Sequence, residues 1–215
     1  MSGITGVILA GGLSSRMGSN KALLPYKGGL FIEAIHRQLA AIFPEMLLIT
    51  NTPQQYESIP CRKAGDIHPN MGALAGLQSG LFHSRTDHIF VVACDMPYLD
   101  DRLIRYLAGQ KRQGDIIIPE SPGGLEPLHA IYSKACLPEM ESALQGGRRR
   151  IISFFARMQI ITIGEEIIAG FDPEYRSFSN INTPDDYYAL RTADWERKAS
   201  HITIQQTSKT NALQG

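Results

Sequence analysis

The chain has 215 residues, 43% of them hydrophobic, enough for one sizeable core and short for two, so a single α/β domain is expected. Lys plus Arg and Asp plus Glu both number 21, which leaves no global basic field for capturing nucleic-acid backbones, and no nucleic-acid partner is expected. Three cysteines that never fall in C-x-x-C spacing, no apolar run of the ~18–20 residues a membrane span needs, and no signal-peptide pattern at the N-terminus together predict a soluble, cytoplasmic protein with reduced thiols and no membrane partner.

Short Val- and Ile-rich runs at 4–10, 46–50, 88–93, 115–118, 128–132 and 159–163 alternate with stretches of helical period. This pattern predicts a mostly parallel sheet flanked by helices. The first strand runs into a glycine-rich loop from Gly11 to Lys21. Its small side chains leave backbone N–H groups able to face phosphate oxygens, and Arg16 and Lys21 add positive charge beside the same anion. The spacing is not that of a P-loop, because five residues separate Gly12 from Gly18 and Lys21 comes three later; the dinucleotide fingerprint G-x-G-x-x-G is also absent. A solvated surface turn is the alternative, and the loop's position after the first strand favours phosphate.

Ile32, Ile35, Leu39 and Ile42 mark one buried face of an amphipathic helix. The loop around Asp66 is rich in turn residues, and that carboxylate reads equally as an exposed turn aspartate or a site residue. The next helix, over 72–83, carries Leu74, Leu77 and Leu81 on one face, with Gly72, Gly76 and Gly80 at every fourth position. Close packing on the sheet accounts for Gly76 and Gly80; Asn70 and Gly72, at the helix start, are available to a ligand.

Asp95 is the first charged residue after the apolar run Phe90-Val91-Val92-Ala93. Ligands of open α/β sheets gather outside the carboxyl ends of strands, which places Asp95 at the crevice shared with the Gly11 loop. A carboxylate beside phosphate makes sense through a cation, and Mg²⁺ is the expected one. Its alternative role as a helix N-cap is weakened by Pro97 and by the better-placed Asp100 and Asp101. Glu126-Pro127-Leu128-His129 precedes a strand as an ordinary loop. Further on, Gly146-Gly147-Arg148-Arg149-Arg150 opens a predicted helix, with Ile151, Ile152, Phe154 and Phe155 burying its other side. Three arginines at a helix start oppose the dipole and suggest an anionic partner. Thr183, Pro184, Asp185 and Asp186 form a capped helix start, leaving Asn180 and Asn182 as ligand contacts. The domain is expected to span 1–192, followed by a loosely ordered tail over 193–215.

The motifs LAGGLSSRMGSNKALLP, NMGALAGLQSGL, VVACDMPYL, EPLHAIYS, GGRRRIISFF and NINTPDDY, in this order, resemble the molybdenum cofactor guanylyltransferases over about residues 4–192. The resemblance implies a Rossmann-like three-layer sandwich of the nucleotide-diphospho-sugar transferase type. It implies an enzyme that joins GMP from GTP to molybdenum-molybdopterin and releases pyrophosphate. It further implies that Leu9, Ala10, Gly11 and Lys21 contact GTP, that Asn51 and Asp66 help hold its guanosine part, and that Asp95 binds GTP and Mg²⁺. Related cytidylyltransferases show LAAG where Leu9-Ala10-Gly11-Gly12 stands, so Gly12 favours guanine; Ala73 departs from a frequent proline. Arg16, Lys21 and Asp95 are the expected catalytic residues, with Arg148, Arg149, Asn180 and Asn182 as contacts of the pterin phosphate. Transient partners would be molybdopterin-synthesis proteins and recipient molybdoenzymes. The alternatives are a cytidylyltransferase of the same cofactor, a sugar-phosphate nucleotidyltransferase, and a binding module without transfer.

Overall fold

Apolar runs buried on both faces assemble the sheet of this computed structural model, which describes residues 3–11, 20–190 and 192. The strands are β1 (Ile4–Leu9), β2 (Pro25–Tyr26), β3 (Gly29–Leu30), β4 (Glu45–Ile49), β5 (Arg62–Ala64), β6 (His88–Ala93), β7 (Ile116–Ser121), β8 (Gly124–Leu125), β9 (His129–Ser133) and β10 (Ile160–Ile163). Helices α1 (Phe31–Ala40), α2 (Ala73–His83), α3 (Asp101–Gly109), α4 (Leu137–Gln145) and α5 (Glu165–Ala169) connect them, and α6 follows over 184–190. All six predicted strands form. β2 and β3 pair as a separate hairpin, and the main sheet runs β10-β7-β9-β6-β1-β4-β5, with β8 on β7. β9 is antiparallel to both of its neighbours, β6 and β7, while β1 is parallel to β4 and β6.

Alternation along the strands sends side chains to two apolar layers. Ile4, Ile8, Phe90 and Val92 pack with α1 and α3 on one face, and Val7, Leu9, Ile89 and Val91 pack with α2 and α4 on the other. Gly80 lets α2 lie flush on the sheet, because a Cβ there would stand 2.9 Å from Val7 Cγ1. The chain leaves β1 toward β4 and returns past it to β6, so the sheet reverses direction of growth at the β1/β6 boundary. Crevices of α/β sheets open at such a point.

One expectation changes. The segment after the arginines is a 3₁₀ run, Ile151–Arg157, rather than an α-helix. With three residues per turn, Ile151 and Phe154 share the inner side and Phe155 packs beside them, while Ile152 turns outward and is 50% exposed. The predicted tail over 193–215 lies outside the described residues.

Candidate active site

The crevice begins where β1 stops. Ala10 N–H donates to Ile49 O at 2.9 Å and Cys94 N–H donates to Leu9 O at 3.1 Å, so the strand end is fixed to both neighbours before Gly11 leaves the sheet. Leu9 and Ala10 are buried. Residues 12–19, which include Gly12 and Arg16, lie outside the described residues. The chain resumes at Asn20, whose side-chain oxygen caps the turn Lys21–Leu23 by accepting from Ala22 N–H at 3.2 Å. Its amide nitrogen donates to Gln55 Oε1 at 2.7 Å and Tyr56 Oη at 2.8 Å. Lys21, set by that latch, donates from Nζ to Asn182 Oδ1 at 3.2 Å, which brings together two predicted site residues 161 positions apart.

Asp95 follows the end of β6. Burial pushes its carboxyl above the ordinary carboxylate range, and the positive charge of Lys21 acts in the opposite sense. Its carbonyl accepts from Ile181 N–H at 2.9 Å, so the stretch before α6 runs over this strand end. Asp100, not Asp95, caps α3, accepting from Arg102 and Leu103 N–H at 2.8 and 3.1 Å. Thr183 and Asp186 cap α6 reciprocally: Thr183 N–H donates to Asp186 Oδ2 at 2.8 Å, and Asp186 N–H donates to Thr183 Oγ1 at 3.1 Å.

On the other side of β1, Asn51 and Asp66 clasp each other. Asn51 Nδ2 donates to Asp66 Oδ2 at 3.0 Å, and Asp66 N–H donates to Asn51 Oδ1 at 2.9 Å. The second carboxylate oxygen, Oδ1, is buried without a partner among the described residues, and burial raises the carboxyl's pKa against the bond from Asn51. Two glycines stand against this carboxylate. A Cβ on Gly11 would lie 3.7 Å from Oδ2, and one on Gly76 would lie 3.7 Å from Oδ1. Asp66 is therefore no exposed turn residue: its clasp with Asn51 sets the carboxylate against the backbones of Gly11 and Gly76.

The residues expected at the pterin phosphate divide. Arg149 packs against Gly72 at the start of α2, where a Cβ would stand 3.7 Å from Arg149 Cβ. Arg148 Nη1 donates back to Ser153 O at 3.3 Å. Asn182 belongs with Lys21, and Asn180 is exposed. The Asn20 latch to Gln55 and Tyr56 is absent from the sequence reading. Its one local signal is an Asn placed as an N-cap before Lys21-Ala22-Leu23. Among the described residues no group of three or more His, Cys, Asp or Glu side chains is arranged to hold a metal. Burial pushes the Cys94 thiol up to about 12, so it stays neutral and is no nucleophile at pH 7.

Residues 6–160 match the family model described as a MobA-like NTP transferase domain. The chain belongs to this family. It is 34% identical over 205 residues to the molybdenum cofactor guanylyltransferase of Desulfosudis oleivorans, covering 94% of this chain and 100% of that protein. It is 38% identical to a probable molybdenum cofactor guanylyltransferase of Clostridium perfringens strain 13, over 85% of this chain and 93% of the relative. The crystal structure of molybdopterin-guanine dinucleotide biosynthesis protein A from Archaeoglobus fulgidus superposes with a TM-score of 0.77 at 27% identity, covering 89% of this chain and 99% of that one. The MobA-like chain is thus a nucleotidyltransferase with the Rossmann-like sheet expected of it. No helix among its described residues is long and apolar enough to cross a membrane.

Proposed function

We propose that this nucleotidyltransferase transfers GMP from GTP to the terminal phosphate of molybdenum-molybdopterin, forming the guanine dinucleotide and releasing pyrophosphate in the cytoplasm. The observation that carries the reading is the clasped Asn51–Asp66 pair with its unpartnered Asp66 Oδ1, set across the β1/β6 crevice from Asp95 and Lys21. A buried acceptor oxygen without a donor selects a guanosine N–H, and a base that offers none there leaves it unpaired.

The reaction needs little covalent help. A phosphate monoester is already anionic near neutral pH and attacks the α-phosphorus without a general base, so catalysis is positioning and charge neutralisation. Lys21, oriented by Asn182 and by the Asn20 latch, holds the triphosphate and then the departing pyrophosphate, with Arg16 as the second cation. Asp95 fits Mg²⁺ on the chemistry of its donor set: a lone desolvated carboxylate suits an ion that takes its remaining ligands from water and phosphate oxygens. Mg²⁺ bound there supplies charge neutralisation on the phosphates. Arg148, Arg149, Asn180 and Asn182 are assigned to the pterin phosphate, and recipient molybdoenzymes and molybdopterin-synthesis proteins are the transient partners.

Pyrophosphate release measured with GTP, CTP, ATP and UTP, each with and without molybdopterin, tests base, acceptor and reaction type together. Release is expected with GTP, Mg²⁺ and molybdopterin combined. Turnover of CTP equal to or faster than that of GTP would overturn the guanine assignment, and release independent of molybdopterin would overturn the acceptor.

A further inference from the structure

The nucleotide occupies one half of the sheet in this reading: Asn51 and Asp66 follow β4 and β5, and Asp95 follows β6. The acceptor must then approach the α-phosphorus over the other half, where β9 and β7 succeed β6. β9 runs antiparallel, with His129 opposite Val92, so the chain entering β9 emerges at the same edge of the sheet as Asp95. β7 runs the other way and ends at that edge with Ser121. A short hairpin through β8 joins the two and carries Glu126.

We propose that the Glu126 carboxylate, held by Ser121, is a specificity-determining contact of the acceptor subsite and accepts hydrogen bonds from the aminopyrimidinone edge of the pterin. The inference rests on the function proposed above. Ser121 Oγ donates to Glu126 Oε1 at 2.6 Å, and Gly123 N–H donates to that hydroxyl at 3.1 Å. The backbone is fixed as well, since Glu126 N–H donates to Pro119 O at 2.9 Å and His129 N–H donates to Glu126 O at 3.0 Å. The carboxylate is half-buried, and no Lys, Arg or His among the described residues forms an ion pair with it.

A hairpin latch does not explain this arrangement, because an amide oxygen would accept the Ser121 bond without bringing a charge out of water. A desolvated carboxylate with one donor keeps further acceptor positions on both oxygens, and filling them relieves the cost of its burial. The ligand that fits carries two adjacent N–H donors at the spacing of two carboxylate oxygens. The 2-amino-4-oxopyrimidine edge of a pterin has that pair, and guanine carries the same pair for Asp66 at the other end of the crevice. Two carboxylates would thus receive two rings of the same donor pattern, one on each side of Asp95.

The test is Glu126→Gln in the full chain. The amide oxygen keeps the Ser121 bond while its nitrogen faces the ligand's donors with a donor of its own. The molybdopterin KM, and the Kd for molybdopterin alone read from pterin fluorescence, should each rise about tenfold or more, with the GTP KM unchanged and the thermal midpoint held or raised, because the amide removes a half-buried charge. Ser121→Ala, which keeps the charge but frees the side chain, should raise the same two constants by a smaller factor. Molybdopterin constants within about twofold of wild type would overturn the subsite. So would a parallel rise in both KM values or a lowered thermal midpoint, which would assign Glu126 to the hairpin alone. Absence of GTP-dependent transfer by the wild-type protein would instead remove the proposed function, a result distinct from any of these.

Discussion

Asp95 is kept ionisable against the interest of the fold. Burial raises its carboxyl above the ordinary range and Lys21 offsets only part of that. A carboxyl whose folded pKa exceeds the unfolded one makes the folded state the better proton binder, so ionisation at neutral pH destabilises the protein. Asp95→Asn should therefore hold or raise the thermal midpoint at pH 7.5 without ligands, while pyrophosphate release falls by about 10²–10³-fold. A lowered midpoint would make Asp95 a structural residue instead. The position of Asp95 is readable in the sequence because a charge directly after a buried apolar run has few structural uses. Asp66 is balanced there, since the clasp that decides it comes from Asn51, 15 residues away, and no local pattern shows that its Oδ1 lacks a donor.

Helix α2 shows the same separation of tasks along one element. Its glycines at 76 and 80 have the same spacing logic, yet the sheet beneath them differs. A Cβ at Gly80 would stand 2.9 Å from Val7 Cγ1, on a stiff β-branched side chain in the central strand. Gly80→Ala should cost about 1–3 kcal/mol of stability through overpacking, measured by urea unfolding, and leave the molybdopterin and GTP KM values near wild type. A Cβ at Gly76 would meet Leu9 Cδ1 at an ordinary 3.5 Å, with Asp66 Oδ1 at 3.7 Å. Gly76→Ala should therefore retain or gain stability, by up to about 1 kcal/mol of helix propensity, and weaken GTP binding. Equal stability losses in the two variants would reject the distinction. Apolar runs made β1, β4, β6 and even the edge strand β10 readable, whereas β5 is the three-residue Arg62-Lys63-Ala64 at the opposite sheet edge and exists only through its pairing with β4. The 3₁₀ run at Ile151–Arg157 misleads for a related reason, because four apolar residues at 151, 152, 154 and 155 fit either helical period until packing decides.

Across the whole molecule, the antiparallel strand β9 ties the core to the crevice through His129. Its ring is fully buried, set edge-on to Phe90 at 5.1 Å and to Phe178 at 5.2 Å between centroids, and neither ring nitrogen has a partner among the described residues. Phe178 opens the stretch whose Ile181 N–H is bonded to Asp95 O, so a charge on this imidazole would form between the sheet and the segment covering the site. Burial holds its pKa down to about 3, against partial opposition from Asp172 and Asp100. The unfolded chain therefore binds this proton from near pH 6.5 while the folded protein refuses it until far lower. Stability from this group is fully present above about pH 6.5 and is lost as the pH falls toward 3, with about 2 kcal/mol gone by pH 5. The raised carboxyls of Asp66, Asp95 and Glu126 act in the opposite direction over the same range, so the wild-type curve alone does not isolate the histidine. The comparison with His129→Phe does, because an apolar ring of similar size keeps the aromatic contacts and removes the proton. Urea unfolding at pH 7.5 and pH 5 should show the variant losing about 2 kcal/mol less than wild type on acidification. Parallel stability curves for the two proteins would mean that the buried imidazole has found a partner that the described residues do not supply.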